Sequence, residues 1–288
     1  MIKTPTAERW VIVGDTQAPF HDPAAVSVAS QLIGYIKPHH LIYNGDMCDM
    51  YSLSKHERKR FEILNYVSLQ EEIDRAIAVQ DILAQGHKKV KLHMIDGNHE
   101  ERLERWLGTG SATSLGDLRG LRTEEVFQYK ERGFSSYHPY HDGIWITDNL
   151  FVTHGSYVDS VPGGSVRKHV AEINESVIIG HVHRRAHIRF RSGNHELAGI
   201  ENGCLCQIKS GYKLHTNWTH CITLVEKYDD KHWKAEIIDI ITDDPNGVRY
   251  ADYRGNRFQQ DIAYNDGLTI PWWVDRTIDF KEENGTQN

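Results

Sequence analysis

The chain has 288 residues, of which 39% are hydrophobic and 25% are charged, a composition typical of ordinary soluble globular proteins. The formal net charge of −7 argues against a surface built as a whole to bind long nucleic acids. No segment is apolar enough to span a membrane, and the first residues lack the hydrophobic core of a signal peptide. We therefore expect a cytoplasmic protein with no membrane partner.

The length predicts one large α/β domain, which we place at residues 1–245. Residues 246–288 are predicted to be an aromatic-rich extension that packs on this domain and ends in a frayed polar tail. The four cysteines have neither the spacing of a disulfide framework nor that of a CxxC zinc site, so we predict free thiols. Cys204 and Cys206 could share a metal on one face of a strand, but packing is the commoner role for such a pair.

In the first part of the chain, strand-like and helix-like segments alternate. Asp22 before Pro23 is a typical helix start, and the helix that follows is predicted to end near residue 35. Predicted strands cover residues 10–13, 40–44 and 90–96, and further predicted helices cover residues 69–85 and 100–107. This alternation predicts parallel strands covered by helices.

The second part of the chain changes character. Residues 112–141 have no strong strand pattern and are predicted to be an insertion of short helices and loops. An Asp148-Asn149 turn predicts a hairpin between residues 144–147 and 150–153. Further strands are predicted at residues 176–179, 186–190, 204–208, 221–226 and 233–241, the last two joined by a polar turn.

Short clusters of Asp, Asn, Gln and His follow five of the predicted strands. Oxygen and imidazole ligands placed at successive strand ends are what a two-metal hydrolytic centre needs. The five clusters are Gly14-Asp15-Thr16-Gln17, Gly45-Asp46-Met47-Cys48-Asp49, Gly97-Asn98-His99-Glu100, His154-Gly155 and Gly180-His181-Val182-His183.

A dinuclear centre of this kind needs one carboxylate that bridges two cations and separate oxygen and nitrogen ligands for each of them. Asp46 is the predicted bridge. The ligands predicted for the first metal are Asp15, Gln17 and His183, and those for the second are Asn98, His154 and His181. Oxygen and imidazole donors without thiolate favour Mn²⁺, with Fe, Zn²⁺, Ni²⁺ or Mg²⁺ as alternatives.

Two further residues are predicted to be catalytic. His99 follows a predicted ligand directly, so its side chain can face the substrate as a general acid or as a stabiliser of the leaving group. Asp49, three residues after the predicted bridge, is interpreted as the carboxylate that orients the His99 imidazole and keeps it cationic.

Candidate substrate contacts are less specific than the metal ligands. His21 could reach the first metal or a phosphate, although the alternative is that His21 and Asp22 only begin a helix. His56, Arg58, Arg102 and Arg184 are predicted to contact phosphate oxygens, where arginine is favoured by its bidentate geometry. The alternative is that these charges lie on solvated helix and loop faces.

The motif set resembles the calcineurin-like metallophosphoesterase family, whose pattern is D-x-H, G-D-x-x-D, G-N-H-[ED], a His before Gly, and G-H-x-H. Four motifs match and the first departs, with Gln17 where the family usually has His. A neutral amide oxygen binds a soft cation less well than imidazole does, so the first metal is the less certain of the two. The resemblance implies an α/β fold, a two-sheet αββα sandwich with mixed sheets.

The resemblance also implies hydrolysis of a phosphate ester through attack by a metal-bridging hydroxide in line with the leaving group. We favour a phosphodiesterase acting on a nucleotide or nucleic acid. Protein phosphatases of the family carry Arg after the second Asp of G-D-x-x-D, and Met50 stands there instead. A DNA-repair-type nuclease remains an alternative because of the basic residues 55–60, and a phosphomonoesterase or protein phosphatase is another. For the assembly of the chain, a homodimer remains an alternative to a monomer. A non-enzymatic binding module would not need the intact metal and acid residues.

Overall fold

A computed structural model of the chain describes residues 6–54, 67–208, 216–241, 248–261 and 265–269. Its helices are α1 Pro23–Ile36, α2 Leu69–Gln85, α3 Glu101–Leu107, α4 Thr123–Val126 and α5 Gly164–Ile173. Three short 3₁₀ helices cover Tyr51–Leu53, Gly110–Leu115 and Arg119–Leu121. The strands are β1 Glu8–Val13, β2 His40–Asn44, β3 Lys91–Ile95, β4 Ser136–His138, β5 Ile144–Thr147, β6 Leu150–Val152, β7 Ser176–Ile179, β8 Arg185–Ser192, β9 His195–Asn202, β10 His220–Lys227, β11 Trp233–Ile240, β12 Val248–Tyr253 and β13 Asn256–Asp261.

Two mixed sheets form the centre of the fold. The first has the order β11-β10-β1-β2-β3-β4, with β1 to β4 parallel and β10 and β11 antiparallel. The second has the order β5-β6-β7-β9-β8, with β6, β7 and β9 parallel. The prediction of an α/β fold with mixed sheets is therefore confirmed.

The alternation of side chains along each strand sets the layers. In β1, Trp10 and Ile12 point into an apolar core between the two sheets, whereas Val11 and Val13 face α1 and α2. Helix α5 packs on the outer face of the second sheet through Val166. The order of layers is helices, sheet, sheet and helix, which is the predicted αββα sandwich.

Local sequence explains where the main helices begin. The Asp22 side chain accepts a hydrogen bond from Ala25 N at 2.9 Å, and Pro23 occupies the first turn of α1. Ser68 and Glu71 form a capping box at the start of α2. Both helices begin within one residue of the predicted positions.

The prediction of a strand at residues 204–208 is wrong. This segment makes isolated bridges with His21 and His220, and its backbone bonds run to loops, with Leu205 N donating to Asp15 O at 3.1 Å and Gln207 N to Phe20 O at 2.9 Å. An apolar segment can be buried beneath a loop as well as within a sheet, and sequence alternation cannot distinguish the two cases.

Three strand features were not predicted. Strand β9 has a polar and Gly-containing sequence but is covered by neighbours on both sides, and β4 lies within the supposed insertion at residues 112–141. Strands β12 and β13 form a hairpin in the extension, where Tyr253 and Phe258 contact Tyr35 of α1. The predicted domain boundary at residue 245 lies outside the described residues and stays a prediction. Across the described ranges, no helix combines the length and apolar character needed to cross a membrane.

Candidate metal centre

The five clusters meet where the carboxyl ends of β1, β2 and β3 in the first sheet approach those of β6 and β7 in the second. Backbone hydrogen bonds join neighbouring loops, with Asp15 N donating to Gly45 O at 3.0 Å and Gly180 N donating to His154 O at 3.0 Å. The His154 Nδ1 lies 2.8 Å from Asn44 O, which connects the two sheets directly beneath the site. The parallel topology therefore gathers side chains that are far apart in the sequence.

One donor group consists of Asp15, Asp46 and His183, whose ligand atoms lie within 4.8 Å of one another and are all buried. The His183 Nε2 lies 3.1 Å from Asp15 Oδ1 and 3.1 Å from Gln17 Nε2. These are the side chains predicted for the first metal together with the predicted bridge.

A second donor group consists of Asp46, His154 and His181, again within 4.8 Å of one another. The His154 Nε2 lies 3.4 Å from Asp46 Oδ1 and 3.3 Å from Asn98 Oδ1. Because Asp46 belongs to both groups, its carboxylate has the position required of a bridge.

Two buried donor atoms without hydrogen-bond partners in the described part of the chain indicate whether cations fit this site. Gln17 Oε1 and His181 Nδ1 are buried and have no hydrogen-bond partner among the described residues. Buried polar atoms are normally satisfied, and a cation satisfies an amide oxygen or an imidazole nitrogen. Carboxylate, amide and imidazole donors therefore fit two divalent cations.

The backbone is unusual at the same positions. Five of the seven predicted ligands have positive φ angles, a conformation that is uncommon for residues other than glycine. Such conformations cost about 1–3 kcal/mol each and persist where the surrounding structure enforces them, commonly at functional sites. The five residues are Asp15 (φ 52°), Gln17 (47°), Asp46 (50°), His181 (67°) and His183 (58°).

Two glycines permit the close approach of these loops. A Cβ at Gly97 would stand 2.1 Å from Asp46 Oδ1, and a Cβ at Gly180 would stand 2.6 Å from Asp15 Oδ2. Neither distance is compatible with a side chain. The glycines before Asn98 and His181 are thus required because backbone packs directly against the carboxylates.

The charges in the site are strongly coupled. Burial would raise the pKa of Asp46, but the imidazoles of His154 and His99 hold it well below its usual range. Burial likewise opposes the charged form of His154, and the Asp46 carboxylate overrides this and raises the pKa of His154 to about 10. Burial and the nearby His154 lower the pKa of His181 to about 3. Asp46 is therefore ionised at neutral pH, as a bridging ligand must be.

The structure brings His99 and Asp49 together as a pair. The His99 Nδ1 lies 2.7 Å from Asp49 Oδ1, and its Nε2 lies 3.7 Å from Asp46 Oδ2. Burial lowers the pKa of His99, but the carboxylates of Asp46 and Asp49 outweigh it and raise the pKa above its usual value. Arg102 lies beside this pair, with Nη2 3.0 Å from His99 Nε2 and Nη1 donating to Asp49 O at 2.8 Å.

Glu100 has a structural part in the site that sequence reasoning missed. Its fully buried carboxylate accepts hydrogen bonds from the backbone N–H groups of Asp46 at 2.9 Å, Cys48 at 2.8 Å and Gly97 at 2.8 Å. These hydrogen bonds join the loop of the second cluster to that of the third. The signal was present in the sequence, because Glu100 ends the third motif.

The remaining predicted substrate contacts differ in their placement. His21 is buried, and its Nε2 lies 2.6 Å from Asp266 Oδ2, so the observed partner of this nitrogen is a carboxylate. Arg184 is 6% exposed, and its Nη1 donates to Ser160 O at 3.2 Å. His56 and Arg58 lie outside the described residues. All four substrate roles stay predictions.

A cavity of about 560 Å³ opens over the donor groups. Val158, Asp159 and Ser160 in the loop before α5 line this cavity. Asn217 and Trp218 also line it, and the sequence singled out neither of them as part of the site. The predicted site residues among its lining are Gln17, Asp46, Asn98, His99, His181 and His183. The predicted ligands thus line a space that a substrate can enter.

Comparison with known proteins gives one curated relative and several similar folds. No family model matches the chain. The Gene 54 protein of Mycobacterium phage L5 is 23% identical over 256 residues, covering 82% of this chain and 94% of that protein.

Solved structures with similar folds include a dimetal phosphatase from Danio rerio, with 13% identity, coverage of 88% and 98% of the two chains, and a TM-score of 0.42. Vps29 from Chaetomium thermophilum has 10% identity, coverage of 88% and 95%, and a TM-score of 0.45. A purple acid phosphatase from yellow lupin has 12% identity, coverage of 82% and 52%, and a TM-score of 0.44. These TM-scores lie below 0.5 and assign no activity to this chain. The four matching motifs and the two-sheet fold on which they meet make this chain similar to the calcineurin-like metallophosphoesterases.

Proposed function

We propose that the chain is a phosphodiesterase that depends on two divalent metal ions and hydrolyses a nucleotide or nucleic-acid phosphodiester. The observation that carries the proposal is the position of Asp46, which belongs to two donor groups and lies 3.7 Å from the imidazole of His99. Asp15, Gln17 and His183 would hold one ion with Asp46, and Asn98, His154 and His181 would hold the other. The bound cations, Mn²⁺ by preference, would activate water and neutralise charge on the phosphate.

The residues of the chain then supply orientation and a proton. Asp49 fixes the His99 ring through Nδ1, so that Nε2 faces the cavity beside Asp46. From there an imidazolium can donate its Nε2 proton to the leaving oxygen, which is general acid catalysis, once the Arg102 N–H that lies 3.0 Å from Nε2 turns to the phosphate. The guanidinium of Arg102 beside Nε2 adds positive charge at the same place, which favours an anionic group.

The charges that line the cavity support a diester over a monoester. Among the lining residues in the described part of the chain, Arg184 is the only Lys or Arg, and its guanidinium is bonded to Ser160 O, while Arg102 beside His99 already donates to Asp49 O. Met50, at the position after Asp49, is fully buried and contributes no cation. A monoester dianion calls for more positive charge than a diester, which carries one negative charge. A phosphomonoesterase is therefore the second candidate, and a cytoplasmic location and a homodimer remain predictions.

The test compares hydrolysis of bis-p-nitrophenyl phosphate with that of p-nitrophenyl phosphate in the presence of Mn²⁺, Ni²⁺, Mg²⁺ or a chelator. We expect metal-dependent cleavage of the diester at the higher rate. Asp46→Asn should lose bound metal together with activity, whereas His99→Ala should keep two metal ions and lose about 10²–10⁴-fold in kcat. The kcat of Asp49→Asn should lie between that of His99→Ala and that of the unmodified protein.

His232→Gln is the matched control, because His232 also pairs with an aspartate but is 77% exposed on the surface. It should retain full activity. Cyclic nucleotides, linear dinucleotides and single-stranded DNA then separate a nucleotide phosphodiesterase from a nuclease. Absence of turnover with every metal, or turnover unaffected by Asp46→Asn, would refute the proposal and favour a binding module.

A further inference from the structure

The two histidines that lie closest to Asp15 and Asp46 are held by different partners. His154 Nδ1 donates to the Asn44 carbonyl at 2.8 Å, which leaves Nε2 free to face the Asp46 carboxylate. His183 Nε2 faces Asp15, but its Nδ1 lies 3.6 Å from the thiol of Cys206. Imidazole ligands of metals usually donate their second N–H to a carboxylate, a carbonyl or water, so a thiol is an unusual partner.

Cys206 is fixed as firmly as the ligands themselves. It is fully buried, and its carbonyl accepts a hydrogen bond from His220 Nε2 at 2.7 Å. The residues on either side of it donate to the backbone of the first cluster's loop, Leu205 N to Asp15 O and Gln207 N to Phe20 O. A displacement of the thiol would therefore displace the loop that carries Asp15 and Gln17.

The His183 ring has a second neighbour besides Cys206, the ring of Trp218. The Trp218 ring stands edge-on to the imidazole, with 4.4 Å between ring centroids and an interplanar angle of 66°. The imidazole is thus confined by an aromatic ring and directed by the thiol. Its orientation is determined by this packing before any cation is considered.

We propose that Cys206 is a positioning residue for the first metal site, because its thiol accepts the Nδ1 proton of His183 and aims Nε2 at the group formed with Asp15 and Asp46. The inference rests on the proposed function, since it requires His183 to be a metal ligand. A thiol is a weak acceptor and gives the imidazole less support than a carbonyl does. Combined with the neutral Gln17 ligand, this makes the first site the weaker of the two.

A competing arrangement has to be separated from this one. Cys204 Sγ, Cys206 Sγ and a ring nitrogen of His183 lie within 4.8 Å of one another in a buried group, and two thiolates with one imidazole can bind a soft cation. Structural zinc sites have four protein ligands, whereas this group, as described, contains three. We therefore favour the positioning role, and the competing site becomes an outcome of the test.

The experiment is a Co²⁺ titration followed by calorimetry and by absorption in the visible and near-ultraviolet. The proteins are the unmodified chain, Cys206→Ala, Cys206→Ser, His183→Ala and Cys221→Ala. The last is a control for the loss of a buried thiol, because Cys221 Sγ donates to Asn202 O instead of contacting an imidazole. Thermal melts of each variant without metal establish that it is folded.

We expect two bound ions of unequal affinity in the unmodified chain and one in His183→Ala. Cys206→Ala should weaken the lower-affinity site by about 10–100-fold, the usual effect of removing a partner behind a ligand. Cys206→Ser keeps a hydrogen-bond acceptor and should recover most of that loss. Cys221→Ala should bind both ions as the unmodified chain does.

Two results would overturn the positioning role while leaving the proposed function intact. In one, Cys206→Ala binds both ions with unchanged affinities. In the other, the unmodified chain shows a thiolate-to-cobalt charge-transfer band that Cys206→Ala lacks, which would make the thiol a ligand. An unmodified chain that binds fewer than two ions would instead refute the dinuclear site, and the positioning role with it. If Cys206→Ala does not fold, the affinities of Cys206→Ser decide the question.

Discussion

Both ends of the first sheet carry imidazoles beside carboxylates, but the two ends are built differently. Towards the amino ends of the parallel strands, His40 Nε2 lies 2.9 Å from Glu8 Oε1 and His40 Nδ1 lies 2.8 Å from His93 Nε2. The chain of contacts continues from His93 Nδ1 to Ser136 Oγ at 2.8 Å, and the Trp10 ring stacks on His40 with centroids 3.7 Å apart. Both ring nitrogens of His40 and both of His93 therefore have a partner at this amino edge.

At the carboxyl edge, where the five clusters meet, donor atoms face one another from residues with positive φ, and Gln17 Oε1 and His181 Nδ1 have no partner among the described residues. Residue types alone therefore do not define a metal centre. The difference is that the amino edge pairs the imidazoles of His40 and His93 with protein groups, whereas the carboxyl edge directs its donor atoms at a common point, where cations can satisfy them.

The largest effect should follow from closing the space at the carboxyl edge. Gly97→Ala would place a Cβ 2.1 Å from Asp46 Oδ1 and 2.4 Å from Asp46 N, so the predicted bridge must move. A displacement of about 1 Å in a catalytic group can cost on the order of 10²-fold in rate. We expect at least that loss in kcat/KM for the diester, together with weaker metal binding by calorimetry.

Gly108→Ala is the matched control for that change. Gly108 caps α3, and the nearest atom to an added Cβ is Glu104 O at 3.5 Å, an ordinary contact. The control should retain activity and metal binding. Equal behaviour of the two variants would contradict the view that bare backbone at Gly97 is what permits the position of Asp46.

The second prediction concerns the buried carboxylate of Glu100 at the same carboxyl edge. Glu100→Gln replaces one of two acceptor oxygens by an N–H₂ group that cannot accept from the backbone of Asp46, Cys48 or Gly97. Leaving a buried donor unsatisfied costs about 1–3 kcal/mol. We expect Glu100→Gln to lower the midpoint of urea unfolding and to weaken metal binding. Both decreases should be larger than those caused by Glu101→Gln, because the partly exposed Glu101 carboxylate pairs with Arg105 on the surface of α3. Similar midpoints for the two variants would remove Glu100 from this structural role.

The carboxyl edge contains both features that the sequence predicts and features that it does not. The order of strands and clusters predicted a parallel sheet, and the ligand types predicted which side chains the structure would bring together, because both depend on local pattern. The roles of Glu100 and Cys206 depend on which backbone groups and ring atoms they reach across the fold. Local patterns carry no information about such contacts.

The incorrect strand prediction at residues 204–208 and the unpredicted strand β9 are also explained by tertiary contacts. Residues 204–208 were predicted as a strand because they are apolar, but they are buried by pairing with the first cluster's loop. Strand β9 was missed because its sequence is polar and contains Gly199, whereas its burial comes from strands on both sides. In each case tertiary neighbours determined the backbone conformation and local propensity did not.

The smallest effect is expected at the amino edge and should leave activity unchanged. Burial, followed by the nearby His40, lowers the pKa of His93 to about 4 from an unfolded value of 6.5. The unfolded chain then binds the proton more tightly, so the stabilisation is complete above pH 6.5 and is lost as the pH falls towards 4. Between pH 7 and pH 5 the loss should be about 2 kcal/mol.

His93→Gln removes the titrating group and should flatten this part of the pH dependence of the free energy of unfolding. Urea unfolding at pH 7, 6 and 5 measures it, with His232→Gln as an exposed control that should keep the slope of the unmodified chain. Hydrolysis of the diester at pH 7 should be unchanged by His93→Gln, because the amino edge satisfies its own imidazoles. A variant that lost activity while keeping its stability would instead connect the amino edge to the chemistry at the other end of the sheet.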